Sequence, residues 1–97
     1  MNADADGQVR LAGPLTFSTV SARLAASAAL FESRSRLSFD LSDVTAVDSA
    51  ALALLVEWLR IGRQRGVKVQ FSQIPAALRS LATVSELDQI DDSLAMP

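Results

Sequence analysis

Three short stretches of the chain alternate between apolar and polar side chains. Val9 and Leu11 flank Arg10; Leu37, Phe39 and Leu41 alternate with Ser38 and Asp40; Val67, Val69 and Phe71 alternate with Lys68 and Gln70. A period of two marks a strand with one buried face. The first strand is broken at Gly13-Pro14, with Leu15 as a further inward position, and the second is expected to end near Leu41. Between them Val20, Leu24, Ala28 and Phe31 fall at helical spacing, so a helix is predicted with Ser18 or Thr19 as its cap and an end around Glu32 to Ser35. A second helix is predicted from about Ala50 to Arg65. Its run carries no Gly or Pro before Gly62, Asp48 or Ser49 stands as its cap, and Gly66 is its stop. Arg60, Arg63 and Arg65 then complement the negative end of the helix dipole and need no ligand to explain them. Pro75 opens a third, short helix whose core positions are Leu78 and Leu81 or Ala82.

Strand, helix and strand in this order favour parallel crossovers. The expected fold is one α/β domain over residues 1–97, a small mixed β-sheet with helices packed mainly on one face. Residues 1–7 read as a frayed leader, because Asp4, Asp6 and Gly7 disfavour strand interiors. Residues 85–92 read as a solvated edge with apolar anchors at Leu87 and Ile90.

The second helix is more apolar than a surface position requires. At 100° per residue Leu52, Leu55, Val56 and Leu59 share one face, and Leu54, Trp58 and Ile61 form a second stripe beside it. Ala53, Glu57, Arg60 and Gln64 are left for solvent, whereas a surface helix needs an apolar stripe of only about 100°. Part of the excess is expected to meet another protein, with Trp58 as its anchor, since buried Trp is enriched at binding hot spots. The alternative is that the sheet and flanking helices cover the whole arc.

Composition removes most chemistry. The 97 residues include no cysteine and no histidine, so a thiolate metal site, a thiol nucleophile and the commonest general base are all missing. The glycines at 7, 13, 62 and 66 form neither a P-loop nor a dinucleotide fingerprint. Asp40, Asp43 and Asp48 lack the tighter convergent pattern of a hard-metal site. With Lys68 the only lysine, no activated nucleophile can be assembled. No enzyme activity, cofactor or metal is expected. Nine basic against eleven acidic residues give no footprint for nucleic acid. The acidic start, Met1 to Asp6, is unlike a signal peptide, and the longest apolar run, Ala50 to Val56, falls far short of the ~20 residues that span a bilayer. A cytoplasmic domain is expected, with any membrane association made through a partner.

Ser49 remains. As a helix cap its hydroxyl would contribute about 1 kcal/mol. As a phosphoacceptor at an exposed helix start it would gain about −1.5 to −2 charge beside Asp48, an addition felt more by a partner's surface than by this fold.

The stretch Asp40-Leu41-Ser42, Val44, then Val47-Asp48-Ser49 followed by Ala50-Ala51-Leu52-Ala53-Leu54-Leu55 resembles the central motif of STAS domains, the small fold of anti-sigma-factor antagonists and of some transporter regulators. The resemblance extends to Gly66 with Val67 to Phe71, to Pro75, Leu78 and Leu81, and to Val9 through Leu15, and so covers most of the chain. It implies that Ser49 is the family's regulatory hydroxyl. Two branches compete. The chain resembles the small STAS subunit of Mla-type phospholipid transporters, which implies a non-enzymatic subunit bound to a cytoplasmic ABC ATPase, and through it a permease, by Asp48, Ser49, Ala50, Ala51, Leu54 and Trp58. It also resembles anti-sigma-factor antagonists, which implies binding to a serine kinase that is an anti-sigma factor, broken by phosphorylation of Ser49. The short acidic leader, the small size, and Ala51 where both branches commonly carry Gly tilt the resemblance toward the transporter branch. A small-ligand module is a third class, for which no residue set argues.

Overall fold

The computed structural model describes residues 1–84. Each of the three alternating stretches forms a strand: β1 over Gln8–Leu15, β2 over Arg36–Val47 and β3 over Lys68–Ser72. They lie in the order β1-β2-β3. The helices between and after them are α1 (Val20–Ser33), α2 (Ser49–Arg65) and α3 (Ala76–Val84). Val9, Leu11, Leu37, Phe39, Leu41, Val69 and Phe71 are buried on one face of the sheet, against the helices. On the other face Gln8, Arg10 and Lys68 are exposed, and Arg10 lies 3.8 Å from Asp40 and 3.9 Å from Asp43. The α/β domain with helices on one face is therefore as expected. Both pairings among the described residues are parallel, which narrows the expected mixed sheet to a parallel one.

The first residues carry their own hydrogen bonds. Asp4 Oδ1 accepts the N–H groups of Asp6 (2.9 Å) and Gln8 (3.0 Å), and Arg34 donates to the carbonyls of Asp4 (2.7 Å) and Ala3 (3.1 Å). The residues that disfavour a strand here build a turn instead. The solvated edge expected over residues 85–92 lies outside the described residues.

β2 runs six residues beyond its expected end at Leu41. Past Leu41 it pairs with the second half of β1, where the register shifts between Arg10 and Ala12 and again between Gly13 and Pro14. Irregular pairing breaks the two-residue period, so the alternation that signals a strand is lost although the backbone pairing continues.

The centre of the core is aromatic. Trp58 stacks on Phe39 with ring centroids 4.1 Å apart and planes 4° from parallel, and Phe71 closes the group at 5.8 Å from Phe39. At the far end of α2, Gly62 lets the helix lie directly on the sheet. A Cβ there would stand 2.6 Å from Val69 Cγ2 and 2.7 Å from the Val67 carbonyl oxygen. Gly66, at φ 71°, then ends the helix in the left-handed conformation as its sequence position predicts.

α1 sits differently from its apolar pattern. Ser27, Leu30 and Phe31 are buried, Val20 and Leu24 are partly buried, and Ala28 faces solvent. The inward turn of Ser27 has a partner: its Oγ accepts the Trp58 indole N–H at 2.8 Å and donates to the Leu24 carbonyl at 2.8 Å. A buried indole N–H needs an acceptor, and this hydroxyl supplies it.

Candidate functional site

α1 and α2 follow parallel strands, and two cross-helix contacts show how they lie. Ser27 meets Trp58, and the backbone N–H of Phe17, just ahead of α1, donates to Asp48 Oδ2 at 3.0 Å. Both pairs are 31 residues apart in sequence, as two parallel helices in constant register must give. Both N-termini therefore point the same way, and their positive dipole ends share one edge of the molecule.

Asp48 occupies that edge. Its φ of −138° is outside the helix, and its Oδ1 accepts the Ala50 N–H at 2.8 Å, the bond of an N-cap. Asp48 is thus the cap that the sequence left open between itself and Ser49. Ser49 is the first residue of α2 and is exposed. Thr19, which occupies the cap position of α1, does not cap with its side chain. Its hydroxyl donates to the Pro14 carbonyl at 2.9 Å and accepts the Thr16 N–H, which folds the connection from β1 tightly.

Between the first turns of the two helices lies an open groove of about 700 Å³. Phe17, Val20, Ser21 and Leu24 line it from one side; Ser49, Ala50, Ala53, Leu54 and Glu57 line it from the other, with Asp48 at its end. Phe17 is 84% exposed, the only large apolar side chain so exposed among the described residues. Arg60 binds both carboxylate oxygens of Glu57, Nε to Oε1 at 3.0 Å, and this hydrogen bonding, helped by the charge of Arg60, holds the Glu57 carboxyl below its usual range against an opposing desolvation.

The six sequence-predicted contact residues divide. Asp48, Ser49 and Ala50 stand together at the groove. Leu54 reaches its lining but is only 4% exposed, so it serves as floor. Ala51 is fully buried, and its small side chain admits the fold's own neighbours instead of a partner. Trp58 is a correction: it is fully buried, stacked on Phe39 and bonded to Ser27, and so cannot be a surface anchor. The second apolar stripe of α2 is covered at that level by α1. Phe17 was missed, as were Val20, Ser21, Leu24, Ala53 and Glu57 as groove residues. A signal for Phe17 existed, since it is a lone aromatic in a turn-rich stretch that belongs to no strand or helix period.

Among the described residues no group of three acidic, His or Cys side chains is placed to hold a metal ion, and no helix is long and apolar enough to cross a membrane.

A sequence model of the family described as "Mlab, STAS domain" matches residues 2–95. A comparison with curated proteins returned no match. Among solved structures the chain is similar to the crystal structure of a protein named Mglu, at TM-score 0.60 and 26% identity over 71% of this chain. It spans only 17% of that protein. It also resembles a sulfate transporter family protein from Wolinella succinogenes, at TM-score 0.66 and 14% identity, covering 93% of this chain and 75% of that one. At that identity the likeness shows the fold alone.

Proposed function

Since the chain belongs to the Mlab STAS domain family, we propose that it acts by contact and not by catalysis, as the regulatory or assembly subunit of an Mla-type ABC transporter for phospholipids. In this reading it binds the cytoplasmic ATPase of the transporter, lies peripheral to the inner membrane through that partner, and needs no cofactor. Asp48, Ser49 and Ala50 form the centre of the contact, with Leu54 beneath them. The observation that carries the reading is the position of Ser49. It is exposed at the start of α2, on the lip of an apolar groove, while the capping bond is made by Asp48. A hydroxyl not needed for the cap is available to a partner.

The same observation supports a second reading. If Ser49 is phosphorylated, a charge of about −1.5 to −2 arises on the contact surface itself, which would release a kinase partner as in anti-sigma-factor antagonists. Gentle purification of the tagged protein from solubilised membranes separates the two. Recovery of an ABC ATPase with its permease supports the transporter reading. Recovery of a soluble serine kinase, with a phosphorylated Ser49 peptide, replaces it with the second.

A further inference from the structure

Asp48 makes one bond more than a helix cap requires. Its Oδ1 accepts the Ala50 N–H, and its Oδ2 accepts the N–H of Phe17, 31 residues away on the other wall of the groove. One carboxylate therefore joins the start of α2 to the turn ahead of α1. The turn has its own bracing from Thr19, which bonds both Pro14 and Thr16, so the link from Asp48 fixes the residue of the turn with the large projecting side chain. That residue carries the exposed phenyl ring. A projecting ring on a held backbone loses little conformational freedom when it is buried by a partner, which is what makes aromatic side chains effective contact residues.

We infer that Asp48 is a positioning residue that holds Phe17 in place, and that Phe17 is the apolar contact this surface offers to an uncharged, apolar pocket or helix face of a protein partner. The inference rests on the reading that the groove end of the molecule binds a protein. The partner's chemistry follows from the charges present. The groove's two ionisable side chains are already compensated: Glu57 by Arg60, and Asp48 by two backbone N–H groups and the positive ends of both helices. No charge is left over to select an ionic partner, and the rest of the lining is apolar apart from the hydroxyls of Ser21 and Ser49. A protein surface fits better than a small amphiphile, because binding cavities enclose their ligands whereas this ring stands out from the surface.

Asp48→Asn separates the two bonds. Asparagine caps helices as well as aspartate does, so the bond to Ala50 is kept, but its amide nitrogen cannot accept the Phe17 N–H. In the isolated protein, backbone relaxation should show Phe17 rigid in the parent and mobile in Asp48→Asn, an order parameter falling from about 0.85 toward 0.6, with the melting temperature little changed. Unchanged order at Phe17 would overturn the positioning role, whatever the partner. In titrations against the purified transporter ATPase, Phe17→Ala should weaken binding about tenfold or more, and Asp48→Asn by a smaller factor. Full-strength binding of Phe17→Ala would overturn the contact while leaving the proposed function standing. If the parent protein itself does not bind the ATPase, the proposed function fails, and with it the contact to that partner. Sedimentation of the parent and of Phe17→Ala completes the test. Self-association that Phe17→Ala abolishes would assign the surface to a second copy of this chain and overturn the partner inferred here.

Discussion

The same pair of parallel helices is locked at one level and open at the next. At Trp58 the two helices are joined through the core: the indole stacks on Phe39, its N–H is taken by Ser27, and nothing of it reaches solvent. One to two turns toward the N-termini the helices are the walls of a groove of about 700 Å³, with Phe17 standing out of it. The apolar excess of α2 is thus core at Trp58 and groove lining nearer the N-terminus. An apolar stripe tells how much of a helix avoids water, and only its neighbours decide whether this fold or another chain covers it.

Removing side chains at the two levels should have opposite consequences. The largest effect is expected for Trp58→Ala, which deletes a fully buried ring from the aromatic centre and should cost about 3–5 kcal/mol in urea unfolding. A loss below about 1 kcal/mol would mean that the locked level is not core at all. Next comes Ser27→Ala. It leaves a buried indole N–H without its acceptor and should cost about 1–3 kcal/mol, with a fluorescence shift of Trp58 as a second signal. At the open level Phe17→Ala should move stability by no more than about 0.5 kcal/mol, because an exposed ring has little folding energy to lose.

The smallest effect belongs to neither level. Asp40, on the face of the sheet that carries the exposed Arg10, is held below its ordinary value of 3.8, first by the Ser42 backbone N–H, then by the Ser42 hydroxyl and least by Arg10, against the cost of burial. Its folded-state value is lowered, so its contribution is present above the unfolded value and is lost as pH falls through the folded one. Stability should therefore decline below about pH 4, and Asp40→Asn should flatten that part of the acid limb without touching binding at the groove.

The strands that carry the buried face were legible because Leu37, Phe39 and Leu41, and Val67, Val69 and Phe71, keep their period where the pairing is regular. The second half of β2 was not, because its partner strand is irregular there and no face of it is buried continuously. α2 and its two ends were legible from the Asp48-Ser49 pair, which left only the choice of cap open, and from Gly66, whose chemistry is local. Ser27 could not be read, since a serine on a helix looks like surface until the indole it serves is known. Trp58 failed for the converse reason: the residue type favoured an interface, and only the register of α1 against α2 shows that its partner is internal. Phe17 carries only a weak signal in the sequence, a lone aromatic outside any period, and its role depends on the bond that joins the turn to the cap.

Titration of the purified ATPase against Ser49→Glu and the parent protein tests the central claim most directly. A carboxylate in the first turn is compatible with the helix dipole, so the domain should keep its fold, with a melting temperature within a few degrees of the parent's. Loss of ATPase binding by a folded Ser49→Glu protein is the result this account predicts. Binding of parent strength by that folded protein would contradict it and move the contact surface away from the open end of the helix pair.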